Sequence, residues 1–585
     1  MHPCLAPVPF ATLLLAASIV TTPLAGQEPE EAWQPVDTFG EAVSVEVVNV
    51  EVWVTDRQGR PVNGLGKEDF ELREDGAPVE ILYFSAFEGD SPARPEAAPG
   101  ARAQGEVALP DEELLRVVVF VDDWNLRPED RSRVLDELRD FLRRELRPGE
   151  EVMVMVHDGQ SLSIAQELTA DQETLGQSLD RVERRATPGI QARTARRQAY
   201  DEIVEAYRAV EAVNEAAPVA AVDPCVWGWP DMEMAFRSYA ATETSLAQGS
   251  VSAIASALES LAGVPGSKVL LYVGNGLPDQ AGIDMFELIR HLCPQASIET
   301  SSLNWSYDLT SLYQHVIERA NAHGVTLYAL EAESPAETPD FQPMDPRFRM
   351  PMHAVRLREG SLEATLSRMA DETGGRAILN SADFGPAFAG IGQDLRHYYS
   401  LGFMPTHGGD GKVHRLEVRL KGQGGSRVRH RTAYLDKPPE RRMVERVYGV
   451  ASLASESNPL EVRLETGEPL IAPGGLVQLP LQIWVPLESI TLIPEGGGFR
   501  GQIRVLMAVS GAGGAMGQVR QKLVPVEASE VASGQDRGEK LVEVTLHLPP
   551  GRHRVALAVQ DELGGETSYL RHDLQAGGDQ ASRRP

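Results

Sequence analysis

The sequence predicts an α/β protein in which a central, mostly parallel sheet with helices on both faces is flanked by a small N-terminal β-domain and a C-terminal β-sandwich. Three observations lead there. Residues 117–121 read Val-Val-Val-Phe-Val, the unbroken apolar run of a strand buried on both faces. From Leu114 onward such runs alternate with stretches of helical periodicity, which calls for helices packed over a parallel sheet. Before residue 88 and after Tyr398, apolar residues recur instead at every second position, as in sheets with one solvated face.

With 585 residues and 42% apolar content, the chain is long enough for about three domains, because single cores stop growing near ~250–300 residues. Residues 1–26 read as a signal peptide. The apolar stretch from Phe10 to Val20 is too short to span a bilayer, and Ala25 and Gly26 offer a cleavage region, although no Lys or Arg precedes it. No later segment is apolar enough to enter a membrane, so the expected location is outside the cytoplasm: periplasm, outer surface or secreted. Residues 41–88 form the N-terminal β-domain, with Val43, Val45, Val47 and then Val50, Val52, Val54 alternating ahead of turns at Gly59 and Asp75-Gly76. The Pro-, Ala- and Gly-rich stretch 89–112 reads as a linker.

The α/β domain spans 113–398. Its first helix begins near Pro128 and places Val134, Leu138, Phe141, Leu142 and Leu146 on one face. Strands at 152–156 and 162–168 follow, the second an antiparallel edge, and then a helix at 171–184. Helices at 250–262, 312–322, 362–373 and 386–397 alternate with strands at 268–273, 325–330 and 376–379. Insertions at 186–248 and 278–310 form a cap, the first a helical hairpin. Residues 399–436 read as a β-hairpin extension, 437–457 as a linker opened by Pro438-Pro439, and 458–576 as the C-terminal β-sandwich.

Composition narrows the function. Acidic residues outnumber basic ones by 85 to 55, a net charge of -30 that repels phosphate backbones and anionic headgroups, so nucleic acid is excluded as a partner. No Gly-x-Ser-x-Gly elbow, His-Glu-x-x-His pair or phosphate-binding loop is present, and His291, His315, His323 and His353 lack metal-ligand spacing. Once the leader with Cys4 is removed, Cys225 and Cys293 remain in an oxidising compartment; a disulfide is the expectation, with two independent buried thiols as the alternative. Trp227, Trp229, Trp305 and Tyr307 lie in the two insertions and form either a recognition surface or the cap's own small core.

Several motifs occur together and in order: Val54-Thr55-Asp56 with Gly59-Arg60-Pro61-Val62; Asp69-Phe70-x-Leu72-x-Glu74-Asp75-Gly76; Pro265-Gly266-Ser267-Lys268; Thr373-Gly374-Gly375; Tyr398-Tyr399-x-Leu401-Gly402-Phe403; and Asp410-Gly411-Lys412-x-His414. In these, across residues 43–435, the chain resembles the von Willebrand factor type A-related proteins of the Acidobacterial type. The resemblance implies a Rossmann-like von Willebrand A domain in a secreted or envelope-associated protein. It also implies a site for Mg²⁺ or Ca²⁺ built on Asp-x-Ser-x-Ser at the end of the first strand. The matching segment is Asp122-Asp123-Trp124-Asn125-Leu126, in which Trp124 and Leu126 stand where hydroxyls are needed, and no carboxylate follows strand 268–273 until Asp279. A rearranged site from Asp122, Asp123 and Asn125 stays open. The expected function is that of a noncatalytic exported protein binding a protein or envelope polymer. The alternatives are a metal-dependent adhesion module at Asp122 and a hydrolase with an unrecognised site.

Overall fold

A computed structural model describes residues 34–35, 47–89 and 115–577, apart from 148, 186–189, 296–306, 333–344, 382, 423–424, 454–455, 473–474, 496–497, 512–515 and 530–537. The expected signal peptide, most of the expected linker 89–112 and Trp305 lie outside the described residues. Within them the chain is a mixed α/β protein of several sheets and helices. The first strands are β1 (Gln34–Pro35), β2 (Val48–Thr55), β3 (Phe70–Glu74), β4 (Ala77–Val79) and β5 (Tyr83–Glu88).

The central unit contains β6 (Leu115–Asp122), β7 (Glu151–His157), β8 (Leu162–Thr169), β9 (Ser267–Gly274), β10 (Val325–Glu331) and β11 (Ala377–Ile378), in the order β11-β10-β9-β6-β7-β8. All neighbours in that sheet are parallel except β7 and β8, so the sheet is mixed only at its β8 edge. Its helices are α1 (Pro128–Glu145), α2 (Gln172–Glu183), α3 (Ile190–Ala216), the single turn α4 (Pro224–Trp227), α5 (Trp229–Ser260), α6 (Ile283–Leu292), α7 (Thr310–His323), α8 (Met352–Glu372) and α9 (Gly385–Arg396). Alternate residues of β6 feed opposite cores. Val117, Val119 and Val121 pack with residues of α1, α2 and α9, and Val118 and Phe120 pack with residues of α3, α5, α6, α7 and α8.

Two helices are longer than their local patterns suggest. α5 starts at Trp229 and not near Ser250, because a stripe of buried Met232, Phe236, Tyr239, Glu243, Ala247, Ser250, Ile254 and Leu258 continues without a break through the end of the first insertion. That insertion is therefore not a separate hairpin: its second arm is the front half of a core helix. α8 likewise begins at Met352 rather than near Leu362.

After the central unit come β12 (His397–Phe403), β13 (Val413–Leu420), β14 (Arg427–His430) and β15 (Ala433–Leu435). These pair with the N-terminal strands in two antiparallel sheets, β14-β2-β12-β5 and β15-β13-β3-β4. The described residues of 41–88 and 399–436 are thus neither a separate domain nor a hairpin extension; they form one β-unit into which the central unit is inserted. Neither segment can bury its apolar face alone, and together they enclose Val50, Val52, Phe70, Leu72, Leu401, Phe403, Leu416 and Val418.

The expected linker 437–457 is mostly α10 (Pro439–Leu453). Pro439 occupies the first helical turn, where a missing N–H leaves no intrahelical bond unmade. Met443, Val447 and Ala451 share one face and pack on Leu506, Ala508, Ala556 and Ala558 of the C-terminal unit. That unit comprises β16 (Arg463–Thr466), β17 (Leu470–Ile471), β18 (Val477–Pro486), β19 (Ile493–Glu495), β20 (Gly498–Val509), β21 (Arg520–Ser529), β22 (Glu539–Leu548), β23 (Gly551–Asp561) and β24 (Thr567–Ala576). One sheet runs β1-β21-β20-β23-β24, and β18 with β16, β17 and β22 forms the other across a core of Leu481, Ile483, Val505, Val544 and Leu557. α10 lies close to the turn after α5: a Cβ on Gly263 would fall 2.0 Å from the carbonyl oxygen of Glu445, so only glycine allows that approach.

At the amino end of β9, the Lys268 ammonium donates to the carbonyl oxygen of Val264 at 3.0 Å. Burial, with Lys437 adding like charge, lowers its pKa from 10.5 to about 7. Between those values the unfolded chain holds a proton that the folded chain lacks, so stability rises with pH by up to about 1.4 kcal/mol per unit. Lys268→Met is expected to stabilise the protein at neutral pH and to remove this rise. Urea midpoints at pH 7 and pH 9 check it, and parallel slopes for wild type and variant would reject it.

Candidate functional site at the carboxyl edge of the central sheet

β6 ends at Asp122 and passes into a 3-10 turn, Asp123–Asn125. Asp122 and Asp123 are both buried. Asp122 Oδ2 accepts hydrogen bonds from Ser250 Oγ of α5 and Tyr272 OH of β9, each at 2.9 Å. Both oxygens of Asp123 accept from Arg131 Nη1 at 2.9 Å, and Arg131 Nη2 donates to the carbonyl oxygens of Glu183 and Arg185 at 2.7 Å. Burial raises the Asp123 pKa above the ordinary carboxylate value, and Arg131 only partly offsets it.

Trp124 and Leu126 carry no hard oxygen ligand. A Cβ on Gly159, which has φ +90°, would fall 2.4 Å from the Trp124 indole, so the ring occupies the space over the β7–β8 turn. Leu126 is fully buried. Divalent Mg²⁺ or Ca²⁺ needs several such oxygens, yet Asp123 is neutralised by a guanidinium and Asp122 already receives two hydroxyl donors. The Asn125 side chain lies outside the described residues. As a set, the residues present do not fit the cation site that the resemblance implies.

Cys225 and Cys293 form a disulfide with a Cα–Cα distance of 5.5 Å, tying α4 to the end of α6. The aromatic residues of the insertions do not form one exposed surface. Trp227 is 67% exposed. Trp229 is half-buried, its Nε1 donating to Glu233 Oε2 at 2.9 Å. Tyr307 packs edge-on against Phe236, 5.6 Å between ring centroids, as part of the core. An insertion that joins the main core directly draws its aromatics inward.

The cleft that does open at this edge is lined by charge. β6 and β9 are adjacent, and the chain leaves them towards opposite sides of the sheet, the crevice where ligands bind in open α/β sheets. A pocket of about 120 Å³ lies there, bounded by Arg127 after β6, Asn275 and Gly276 after β9, Arg193 and Arg196 of α3, Glu243 of α5 and Arg358 of α8. The lining holds four arginines and one carboxylate; Arg127 also pairs with Asp130 at 3.7 Å, Arg196 with Asp284 at 2.7 Å and Arg358 with Glu243 at 2.6 Å. Glu243 is held by Tyr239 OH at 2.6 Å, the Gly282 N–H at 2.7 Å and Arg358 Nη1 at 2.6 Å. Arg196 Nε donates to the fully buried Asp284 at 2.7 Å. Burial disfavours the Asp284 charge, but Arg196 and Arg358 outweigh it and hold its pKa below the ordinary value. Sequence reasoning missed this pocket, since its arginines come from segments far apart in the chain; the one local signal is the basic start of α3, Arg193-Thr194-Ala195-Arg196-Arg197.

No family model matches the chain, and no curated protein matches it. Among solved structures, an aerotolerance-related membrane protein from Bacteroides fragilis is similar at 11% identity over 48% of this chain and 98% of its own, with a TM-score of 0.23. The three N-terminal domains of the type V pili tip protein of Porphyromonas gingivalis are similar at 8% identity over 92% of this chain and 78% of their own, with a TM-score of 0.21. Both scores are too low to carry a functional argument.

Proposed function

We propose that this chain is a noncatalytic exported binding protein. Its central unit, a von Willebrand A-type domain, recognises a protein or envelope polymer at the carboxyl edge of its sheet, and an acidic group of the partner enters the arginine-lined pocket. The observation that carries this reading is the concentration of Arg127, Arg193, Arg196 and Arg358 around one crevice in a chain of net charge -30. Guanidinium groups pair with carboxylates in a planar, two-point geometry, and such a pocket needs no bridging metal. Binding rather than turnover is supported by the lining itself: it contains no Ser, Cys or His, and Glu243 is committed to three hydrogen bonds and so is poorly placed as a general base.

Hexaglutamate titrated calorimetrically into the full chain is expected to bind, with an affinity that falls as salt is raised. Arg193→Glu, on an exposed side chain of α3, is expected to weaken it by about tenfold or more without changing the melting temperature. Equal affinity in the variant, or no binding to the wild-type chain, rejects the reading.

A further inference from the structure

The β-unit holds a second cluster, remote in sequence from the arginine pocket and unused by it. Glu74 ends β3, while His407 and Asp410 lie on the loop before β13 and His414 lies at its start. One ligating atom from each of Glu74, His407 and His414 lies within 4.8 Å of the others. Tyr434 OH donates to Glu74 Oε1, and Glu74 Oε2 lies 3.4 Å from His407 Nε2. His414 Nδ1 pairs with Asp75 Oδ2 at 2.8 Å, and His414 Nε2 lies 3.2 Å from Asp410 Oδ1. The loop takes its shape from Gly408, Gly409 and Gly411, all at φ between 67° and 77°, a conformation that favours glycine. The N–H groups of Gly409 and Gly411 donate to Asp436, each at 2.8 Å.

Two features of the cluster call for a cation. Glu74 is 4% exposed, and among the described residues no Lys or Arg forms an ion pair with it, an arrangement costly for a buried carboxylate. The His407 and His414 rings lie face to face, 4.0 Å between centroids and 7° from parallel, so two imidazolium charges there would repel. The Asp75–His414 hydrogen bond is the kind of carboxylate–histidine pairing that orients a metal-bound imidazole.

We propose that Glu74, His407 and His414 form a zinc site that fastens the chain segment before the central unit to the segment after it. Two imidazoles with a carboxylate suit zinc better than Mg²⁺ or Ca²⁺, and a water completes the four-coordinate shell. Ligation requires the exposed His407 ring to turn out of its stack and His414 Nε2 to exchange Asp410 for the ion, while Tyr434 and Asp75 keep their hold on Glu74 and His414. The ion would act as a clasp across the insertion: it joins residues more than 330 positions apart, which backbone pairing between β3 and β13 already brings side by side.

The test uses the full chain, stripped with a chelator and then supplied with zinc chloride. One zinc per chain is expected by elemental analysis, with a rise of several degrees in melting temperature, and cobalt in its place is expected to give the visible ligand-field bands of a tetrahedral centre. His407→Ala, on the exposed loop, is expected to lower zinc affinity by more than the roughly 10- to 100-fold that losing an outer partner of a ligand costs, and to remove the cobalt bands while leaving the metal-free melting temperature unchanged. Glu74→Gln should lose zinc in the same way. A wild-type chain that retains no zinc, or a His407→Ala chain of unchanged affinity, overturns the site; zinc bound with no shift in melting temperature overturns the clasp.

Discussion

Replacing Cys225 and Cys293 by serine is expected to destabilise the central unit by about 4 kcal/mol, because the disulfide closes a loop of 68 residues whose freedom in the unfolded chain is then restored. That loop contains all of α5, β9 and α6, so the loss falls on the elements around the carboxyl edge of the sheet. For a unit of this size the change corresponds to roughly 10 °C in melting temperature. The C-terminal sandwich contributes nothing to the closed loop and holds its own core, so its unfolding should not shift. Differential scanning calorimetry of the oxidised, reduced and doubly substituted chains checks this. Reduction and substitution should give the same displacement of a single transition. An unchanged thermogram would mean that α4 and the end of α6 are held by packing alone.

The central sheet was legible because its information is local. The run at 117–121 is apolar on both faces, and the structure uses both, with Val119 facing one core and Phe120 the other. Helix and strand periodicity likewise placed α1, α7 and β10 within a few residues of their ends. The β-unit was less legible for a physical reason. Two-residue alternation tells a strand which face is dry but not which strand lies beside it, and β2 takes both its neighbours, β12 and β14, from beyond the insertion. The helix α10 was hidden by Pro438-Pro439, which reads as a breaker yet sits where a helix can begin, although Met443, Val447 and Ala451 already mark its buried face.

The candidate sites divide in the same way. Asp122 was recognisable from its place at the end of a buried strand, but its partners Ser250 and Tyr272 lie 128 and 150 residues away, with no spacing rule to reveal them. The proposed zinc cluster left half a signal, His407 and His414 on one short segment, while its third member, Glu74, belongs to a strand paired with β13 only in three dimensions. Arg131 was the most accessible of the missed residues. It follows Asp123 by eight positions in the first turn of α1, where a helix returning over the sheet brings its side chain back to the strand end.

Asp123→Ala is expected to destabilise the central unit by about 3–5 kcal/mol, the usual loss when one member of a buried ion pair is removed and the other is left without its counter-charge. The side chains of Asp123 and Arg131 are 2% and 4% exposed, so water cannot take over from the missing carboxylate without opening the turn. Arg131→Met should be costly for a further reason: the carbonyl oxygens of Glu183 and Arg185 at the end of α2 lose their guanidinium donor. Because burial raises the Asp123 pKa in spite of Arg131, the pair does not fully recover its desolvation. The double variant Asp123→Leu/Arg131→Met should therefore be less destabilised than the sum of the single losses, by about 1–3 kcal/mol. Urea denaturation of the four proteins closes this cycle. Additive losses would show that the two groups act independently, whereas the expected coupling would show that the pair acts as one unit at the end of β6.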